Sequence, residues 1–153
     1  MLSGTMRISP LTLEDCKLAA QLHQNAFFKG WSEKDFQELL ENPLIYGSKI
    51  EENHGLSGYI LWREVGDEAE ILTLVVAPSF QRMGRGSLLL TSLFEILMKQ
   101  GIKKLFLEVA EDNDKAQYIY RKNEFLLLSE RPHYYSRKGG SSVSAFIFLK
   151  KLP

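Results

Sequence analysis

The segment Ile71–Gln100 joins three different patterns, and their order indicates a strand, a loop and a helix. Its first residues, Ile71–Val76, form a short apolar and largely β-branched run that is typical of a buried strand. Pro78 ends this run because proline cannot donate to a sheet ladder. Apolar residues then recur at helical spacing up to Gly101, which stands where a C-terminal cap is expected. A chain built around such a unit is expected to have an α/β fold.

The loop Gln81–Gly86 has the chemistry of an anion-binding site. The first backbone N–H groups of a helix lack internal partners, and the helix dipole places partial positive charge there. Gly84 and Gly86 have no Cβ, so a phosphate can approach the backbone closely. Arg82 and Arg85 add positive charge. The loop matches neither the nucleotide P-loop nor the G-x-G-x-x-G of dinucleotide folds, and an ordinary strand-to-helix turn with surface arginines remains the alternative.

The same loop resembles the Q/R-x-x-G-x-G/A signature of the GCN5-related N-acetyltransferase (GNAT) superfamily, in which it holds the pyrophosphate of acetyl-CoA. The wider segment Glu68–Leu89 resembles the RimI-type branch, which acetylates protein N-termini. The resemblance covers nearly the whole chain and is strongest from Glu68 to Tyr135. It implies a single GNAT domain over residues 1–153, with a mixed, mostly antiparallel sheet of six to seven strands flanked by about four helices.

Composition places limits on the partners and the location of the protein. The 153 residues include 19 lysines and arginines and 19 acidic residues, and this balance argues against a dominant nucleic-acid surface. Cys16 is the single cysteine, so no internal disulfide exists and a reducing cytoplasmic location is expected. No apolar run approaches the roughly 20 residues that cross a bilayer, and Met1–Pro10 lacks the apolar region of a signal peptide. We therefore expect a cytoplasmic protein with neither a membrane nor a nucleic acid as partner.

Short turns and one helical crossover predict the order of the elements. Strands are predicted at Met6–Ser9, Leu44–Glu51, Leu56–Glu64, Ala69–Val76, Lys104–Val109, Phe125–Ser129 and Val143–Lys150. Helices are predicted at Thr12–Ala26, Glu33–Glu41, Gly86–Gln100 and Asn113–Lys122. Tight turns join three consecutive strands, whereas a helix joins the fourth strand to the fifth, so the sheet should be mixed.

A second chemical signal is Glu108, a carboxylate near the end of an otherwise apolar strand. Such a group is unusual unless it is paired or functional. The run Leu107–Phe125 resembles the corresponding RimI-type segment, with matches at Glu108, Asn113, Ala116, Tyr120 and Phe125. Ala110 replaces the arginine that is usual there, and Glu124 replaces a glycine that often supplies a positive φ.

The resemblance implies acetyl transfer to an amine, with Glu108 and Tyr120 as the catalytic residues. The attacking amine must be neutral, and Glu108 is the candidate base, directly or through a water. Tyr120 is the candidate acid that protonates the coenzyme's sulfur, and the N–H of Val76 is the candidate oxyanion donor. In the alternative interpretation, Glu108 is a strand-end carboxylate satisfied by backbone donors and Tyr120 is a core side chain.

The resemblance also implies the residues that bind acetyl-CoA and the acceptor. Backbone groups of Leu74, Val75 and Val76 would hold the pantetheine arm as an added strand would. The pyrophosphate would be held by Arg82, Met83, Gly84, Arg85, Gly86 and Ser87. Asn113 would contact the pantetheine. The acceptor side would be bordered by Trp31, Tyr134 and Tyr135. For Trp31, packing in the core is the alternative.

The resulting hypothesis is acetyl transfer from acetyl-CoA to a protein N-terminus, by analogy the N-terminal alanine of a small-subunit ribosomal protein. The acidic pair that commonly opens the last strand of this branch is replaced by Ser142–Ser144. Acetylation of a small amine or a lysine side chain, and a CoA-binding module without catalysis, remain the alternatives. His23, His54 and His133 lack the spacing of metal ligands, so no metal is expected.

Overall fold

The computed structural model of the chain describes residues 5–153, which form one mixed sheet with helices on both faces. The strands are β1 (Met6–Pro10), β2 (Ile45–Glu52), β3 (Gly55–Val65), β4 (Glu68–Val76), β5 (Lys104–Ala110), β6 (Leu126–Ser136) and β7 (Ser142–Lys151). The helices are α1 (Cys16–Ala26), α2 (Glu33–Glu41), α3 (Arg85–Lys99) and α4 (Asp114–Lys122). Residues 1–4, where the segment inspected for a signal peptide begins, lie outside the described residues.

The order of the strands across the sheet is β1-β2-β3-β4-β5-β7-β6. Neighbouring strands run antiparallel except β4 and β5, which α3 joins and which run parallel. The prediction of a mixed, mostly antiparallel sheet is confirmed. Residues 5–153 form the seven strands of this sheet and four α-helices. None of the helices in this range has both the length and the apolar character needed to span a membrane.

The helices α1 and α2 begin where local side chains satisfy free backbone donors. Ser32 Oγ accepts from the N–H of Asp35 at 3.1 Å, and the Asp35 carboxylate accepts from the N–H of Ser32 at 2.9 Å. At the short 3-10 turn that precedes α1, the Asp15 carboxylate accepts from the N–H and the hydroxyl of Thr12, and the N–H of Asp15 donates to the carbonyl of Thr12. The predicted helix from Thr12 is therefore a 3-10 turn followed by an α-helix, and a capping box of this kind is visible in the sequence.

Two apolar cores lie on opposite faces of the sheet. One core contains the buried leucines of α3 together with Tyr120 and Phe125. The other core packs Cys16 of α1 and Phe36 of α2 against Tyr59 of β3. Burial raises the pKa of the Cys16 thiol, so this side chain stays protonated and serves as a small apolar group.

The strand β6 extends further than the prediction. Its second half was missed because apolar and polar residues do not alternate there. The prediction ended the strand at Ser129, whereas β6 continues to Ser136 through Pro132. Register shifts near Leu128 and between Arg131 and Tyr135 insert extra residues, and such bulges remove the period-two pattern. Proline is tolerated because β6 is an edge strand and needs no ladder donor on its open side.

The strands β4 and β5 separate halfway along their length, and this opening is the main feature of the sheet. They pair only as far as Ile71 and Leu107. Leu72 is an extra residue of β4, since Ile71 and Thr73 pair with consecutive residues of β3. A bulge bends a strand and increases its local twist, which directs the second half of β4 away from β5.

Candidate active site

The opening between β4 and β5 continues into a cleft of ≈ 790 Å³ that is bounded by β4, the following loop, α3 and α4. This volume falls within the roughly 300–1,000 Å³ that is usual for cofactor sites. The cleft collects all the predicted cofactor-binding residues except Met83. Those that line it are Leu74, Val75, Val76, Arg82, Gly84, Arg85, Gly86, Ser87 and Asn113.

The open edge of β4 offers backbone groups to the cleft. The N–H of Ala77 donates to the carbonyl of Ser57 at 2.8 Å, so this pair is hydrogen-bonded across β3 and β4. In an antiparallel ladder the next pair is not hydrogen-bonded, and the N–H of Val76 therefore points away from β3 toward the opening. The same alternation turns the backbone of Leu74 toward the opening, so β4 can receive an extended ligand as an added strand.

The start of α3 forms a second wall of the cleft and has the properties of an anion site. Gly84 is the N-cap residue in the left-handed conformation with φ 81°, and its carbonyl accepts from the N–H of Leu88 at 3.0 Å. The amides of Arg85, Gly86 and Ser87 are the first of the helix and have no helical acceptors. These three donors and the helix dipole favour a negatively charged group at this end.

The two arginines of the loop differ in their surroundings. The guanidinium of Arg85 donates from Nε to Oε2 of Glu52 at 2.9 Å and from Nη1 to the carbonyl of Met83 at 2.9 Å. The hydrogen bond from Arg85 holds the pKa of the Glu52 carboxyl below its usual range, so both groups are charged at neutral pH. The expected free charge at Arg85 is thus neutralised, and Arg85 instead ties the loop to β2. Arg82 is exposed and supplies the positive charge of the loop.

The two glycines of the loop also have different roles. A Cβ on Gly84 would meet no atom within 4 Å, and the positive φ is what requires glycine there. A Cβ on Gly86 would lie 3.3 Å from Cδ1 of Ile119, so this glycine lets α3 approach α4. Gly86 thus also gives Ile119 room beside α3, and its expected role in baring the backbone to a phosphate stays a prediction.

Two tyrosines that the sequence assigned to the site, Tyr120 and Tyr135, both have a raised pKa. Tyr120 lines the cleft and is 6% exposed, and burial raises its pKa, so the phenol stays protonated at neutral pH. Burial first, and then the negative charge of Glu108, raise the pKa of Tyr135 to about 12. Tyr120 is therefore available as a proton donor.

Glu108 lies on β5 beyond the last residue that pairs with β4. Its Oε1 is 3.2 Å from Nη1 of Arg131, whose guanidinium lies 5.3 Å from the ring centre of Tyr134. The carboxylate is thus paired with a side chain, in contrast to the alternative in which backbone donors satisfy it. Glu108, Tyr134 and Tyr135 lie outside the residues that line the cleft.

Trp31 belongs to the α1–α2 loop, and its side chain packs against the core. Its ring is stacked on that of His23 with the centroids 4.4 Å apart, and it meets Phe36 edge-on at 5.5 Å. Trp31 is partly buried and is not among the residues that line the cleft. The packing alternative therefore describes the contacts of Trp31 in this structure.

Some residues of the cleft were missed at the level of sequence. Ala26 and Phe27 form one wall, and α4 contributes residues at helical spacing: Lys115, Tyr118, Ile119 and Lys122. A pattern existed on α4, because residues three and four apart share a helical face. Nothing in the sequence marked that face as the one toward a ligand. Within residues 5–153, no group of three His, Cys, Asp or Glu side chains is arranged to hold a metal ion.

Comparison with known proteins gives one consistent result. Residues 17–125 match the family described as the Acetyltransferase (GNAT) family. The chain is 31% identical over 142 residues to the ribosomal protein bS18-alanine N-acetyltransferase of Escherichia coli strain K12, covering 93% of this chain and 95% of the relative. The relative of the same name from Haemophilus influenzae is 30% identical over 142 residues, covering 92% and 94%.

A solved structure gives the same result for the fold. The crystal structure of the ribosomal-protein-S18-alanine N-acetyltransferase from Escherichia coli matches with a TM-score of 0.90 at 29% identity. The match covers 97% of this chain and 94% of that chain. The family match ends at residue 125, and Tyr134 and Tyr135 lie beyond it.

Proposed function

The chain belongs to the acetyltransferase (GNAT) family, and on this ground we propose that it transfers an acetyl group from acetyl-CoA to the N-terminal amine of a protein. The proposed acceptor is the N-terminal alanine of a small-subunit ribosomal protein equivalent to bS18, the protein named for the relatives. The observation that carries the proposal is the opening between β4 and β5, with free backbone donors on one wall and Tyr120 on another. The proposal includes a cytoplasmic location, where ribosomal proteins are made.

The residues of the cleft fit acetyl-CoA, the acetyl donor of the family. The free edge of β4 at Leu74 and Val76 suits the amide-containing pantetheine arm. The unpaired amides at the start of α3 suit the pyrophosphate, with Arg82 as an additional positive charge. Asn113 lines the cleft, although its Oδ1 already accepts from the N–H of Ala116 at 3.2 Å. Its side-chain amide group remains able to donate to a ligand.

Three groups of the chain supply the chemistry in this proposal. Acetyl-CoA, when bound, supplies an acetyl group activated as a thioester. Glu108 accepts the proton of the acceptor's ammonium group, directly or through a water, and so makes the amine a nucleophile. The N–H of Val76 donates to the carbonyl oxygen as negative charge develops there. Tyr120, which burial keeps protonated at neutral pH, gives its phenolic proton to the departing sulfur.

The acceptor is proposed to approach from the side of β6. Tyr134 and Tyr135 lie on this strand, and Arg131 of the same strand contacts Glu108. Their rings are 5.2 Å apart and nearly perpendicular, which leaves aromatic faces and two hydroxyl groups for an N-terminal peptide. Trp31 is proposed to act only indirectly, through the packing of the α1–α2 loop against His23.

The experiment that tests the proposal compares one peptide with a free N-terminus and the same peptide with a blocked N-terminus. A peptide with an N-terminal alanine and one internal lysine is incubated with the protein and acetyl-CoA, and thiol release is followed. Fragmentation by mass spectrometry then locates the acetyl group. We expect it on the α-amine, and we expect no thiol release from the same peptide with a blocked N-terminus.

The two alternatives predict different outcomes in the same assay. Acetylation of the internal lysine, or of a free small amine in preference to the peptide, would assign the protein to another substrate class of its family. Binding of CoA by calorimetry without thiol release from any amine would indicate a module without catalysis.

A further inference from the structure

His23 joins three parts of the structure next to the cleft, although the proposed chemistry does not use it. The side chain is buried within α1, with 4% of the residue exposed. Its Nδ1 accepts from the backbone N–H of Trp31 at 2.9 Å, in the loop before α2. Its Nε2 lies 3.1 Å from Oγ1 of Thr73, on β4.

The hydrogen bonds fix the form of the imidazole. A backbone N–H can only donate, so Nδ1 carries no proton and Nε2–H donates to Thr73. Burial lowers the pKa of His23 to about 4, an effect that the nearby Asp35 partly offsets. The side chain therefore stays neutral at physiological pH, in the tautomer that both contacts require.

The contacts of His23 end at places that shape the cleft. Thr73 follows the bulge at which β4 leaves β5. The ring of His23 also lies 4.4 Å from that of Phe27, which lines the cleft. His23 thus contacts both the half of β4 that lies beyond the bulge and a residue that lines the cleft.

The loop that carries Phe27 is held closely against α1, so its position depends on that helix. A Cβ on Gly30 would lie 2.4 Å from the Cα of Gln24, which leaves room only for glycine. The side chain of Gln24 donates to the carbonyl of Trp31 at 3.1 Å, beside the His23 contact to the amide of the same residue. Of the loop contacts described here, His23 is the one that continues to β4.

We propose that His23 is a positioning residue for acetyl transfer, which fixes the α1–α2 loop relative to the diverging half of β4. The inference rests on the proposed function, because it concerns the alignment of acceptor and acetyl donor in that cleft. Misplacement by about 1 Å can cost on the order of 100-fold in rate, so a link between two walls of a reaction site matters for turnover. If His23 only filled the core, its substitution would lower stability, and any loss of activity would follow the loss of stability.

Three variants divide the two hydrogen bonds of His23. His23→Asn places a carbonyl oxygen near the position of Nδ1 and keeps the acceptor for Trp31. His23→Gln places an amide N–H near the position of Nε2 and keeps the donor for Thr73. Thr73→Val removes the acceptor on β4 and leaves the histidine in place. Melting temperature and circular dichroism establish that each variant is folded.

The measurements are kcat, KM for the acceptor peptide and the dissociation constant of CoA. We expect His23→Gln to lose on the order of 10-fold or more in kcat/KM for the peptide, because the loop is released from its anchor. We expect His23→Asn and Thr73→Val also to lose kcat/KM for the peptide, because each breaks the bond between His23 and β4 and leaves only the bond to Trp31. Wild-type activity in both of these variants would overturn the proposed link to β4. The CoA dissociation constant should change by less than about 3-fold, because β3 still pairs with Leu74–Val76, the part of β4 that is proposed to bind the coenzyme.

Amide exchange supplies a readout that needs no turnover. The N–H of Trp31 should remain protected in His23→Asn and become fast in His23→Gln. Equal activity of wild type and His23→Gln would overturn the inference, as would losses that merely follow melting temperature. Failure of the proposed function has a different signature, since the wild type itself would then acetylate no amine.

Discussion

The carboxylate of Glu108 is already paired with Arg131, so an incoming ammonium group competes with a guanidinium for the same oxygen atoms. The side chain of Arg131 is 54% exposed, and that of Glu108 is 21% exposed. Ion pairs with an exposed partner contribute only about 0–1 kcal/mol, because water screens them and the long side chain loses entropy. Arg131 can therefore be displaced at small cost, and the proposed role of Glu108 as a base is compatible with the pair.

We predict that Glu108→Gln lowers kcat/KM by about 100-fold or more, within the range that general bases contribute. The amide cannot accept the proton, so the reaction would depend on amine that is already neutral in solution. The apparent pH optimum should therefore rise. Steady-state kinetics across pH with an alanine-led peptide measure both effects.

The matched control for this substitution is Glu130→Gln, on the exposed strand β6. It removes the same charge from the same region, and we expect activity close to wild type. Calorimetry should show little change in CoA affinity for either variant. A large loss of CoA affinity in Glu108→Gln would instead assign Glu108 a structural role.

The turn from β4 into α3 brings together the features on which coenzyme binding is proposed to depend. Gly84 takes a left-handed conformation, and the next three amides point out of the helix end. Arg85 holds this turn to Glu52 of β2, so the anion site is fixed from outside the loop as well. The loop is thus prepared for a ligand before one arrives, which lowers the entropy cost of binding.

We predict that Gly84→Val weakens acetyl-CoA binding by about 10-fold or more, because a β-branched residue is strongly disfavoured at positive φ. Gly84→Asn is the control, since asparagine tolerates this conformation. Retained binding in Gly84→Asn would show that the conformation matters. Weak binding in both variants would show that the ligand needs the space, and unchanged calorimetry in both would contradict the loop assignment.

Elements determined by neighbouring residues could be predicted from sequence, whereas elements determined by distant residues could not. The capping box of Ser32 and Asp35 and the turn at Asn53 and His54 each involve residues within four positions of one another. The helix from Glu33 and the tight turn between the second and third strands, which depend on these residues, could therefore be predicted. Glu124 adopts φ 68°, as expected of a residue that stands where glycine is usual. The local pattern there survived the loss of the glycine that normally produces it.

The missed features depend on contacts between residues that are far apart in the sequence. Arg85 and Glu52 are 33 residues apart, and nothing local indicated that the arginine would be neutralised. His23 and Thr73 are 50 residues apart, so the sequence could only describe His23 as lacking the spacing of a metal ligand. The clustering of cofactor-binding candidates around one cleft was expected from a motif, but the packing of Trp31 depended on tertiary neighbours.

The sheet separates two cores, and its opening lies where neither core fills the space between β4 and β5. Two carboxyl groups elsewhere in the molecule, those of Asp112 and Asp15, have a lowered pKa. Arg137 lowers the pKa of Asp112 through a hydrogen bond, and hydrogen bonds to Lys49 and Thr12 lower that of Asp15 against the opposing effect of burial. Carboxyl groups with lowered pKa contribute stability that is present above their unfolded pKa of about 4 and is lost as pH falls below it.

His23 gives the fold a second, higher window of pH sensitivity. Its pKa is about 4 in the folded protein and about 6.5 in an unfolded chain, so the folded state favours the neutral form. The stability that the neutral imidazole contributes is fully present above pH 6.5 and is lost as pH falls toward 4. We predict that the free energy of unfolding in urea decreases by roughly 3 kcal/mol across this interval, at about 1.4 kcal/mol for each pKa unit of the shift. The decrease should be mostly absent in His23→Asn, which cannot titrate but keeps the bond to Trp31, and unchanged in His54→Asn, a substitution in an exposed turn. If His23→Asn kept the full slope, another titrating group would be responsible for the pH dependence.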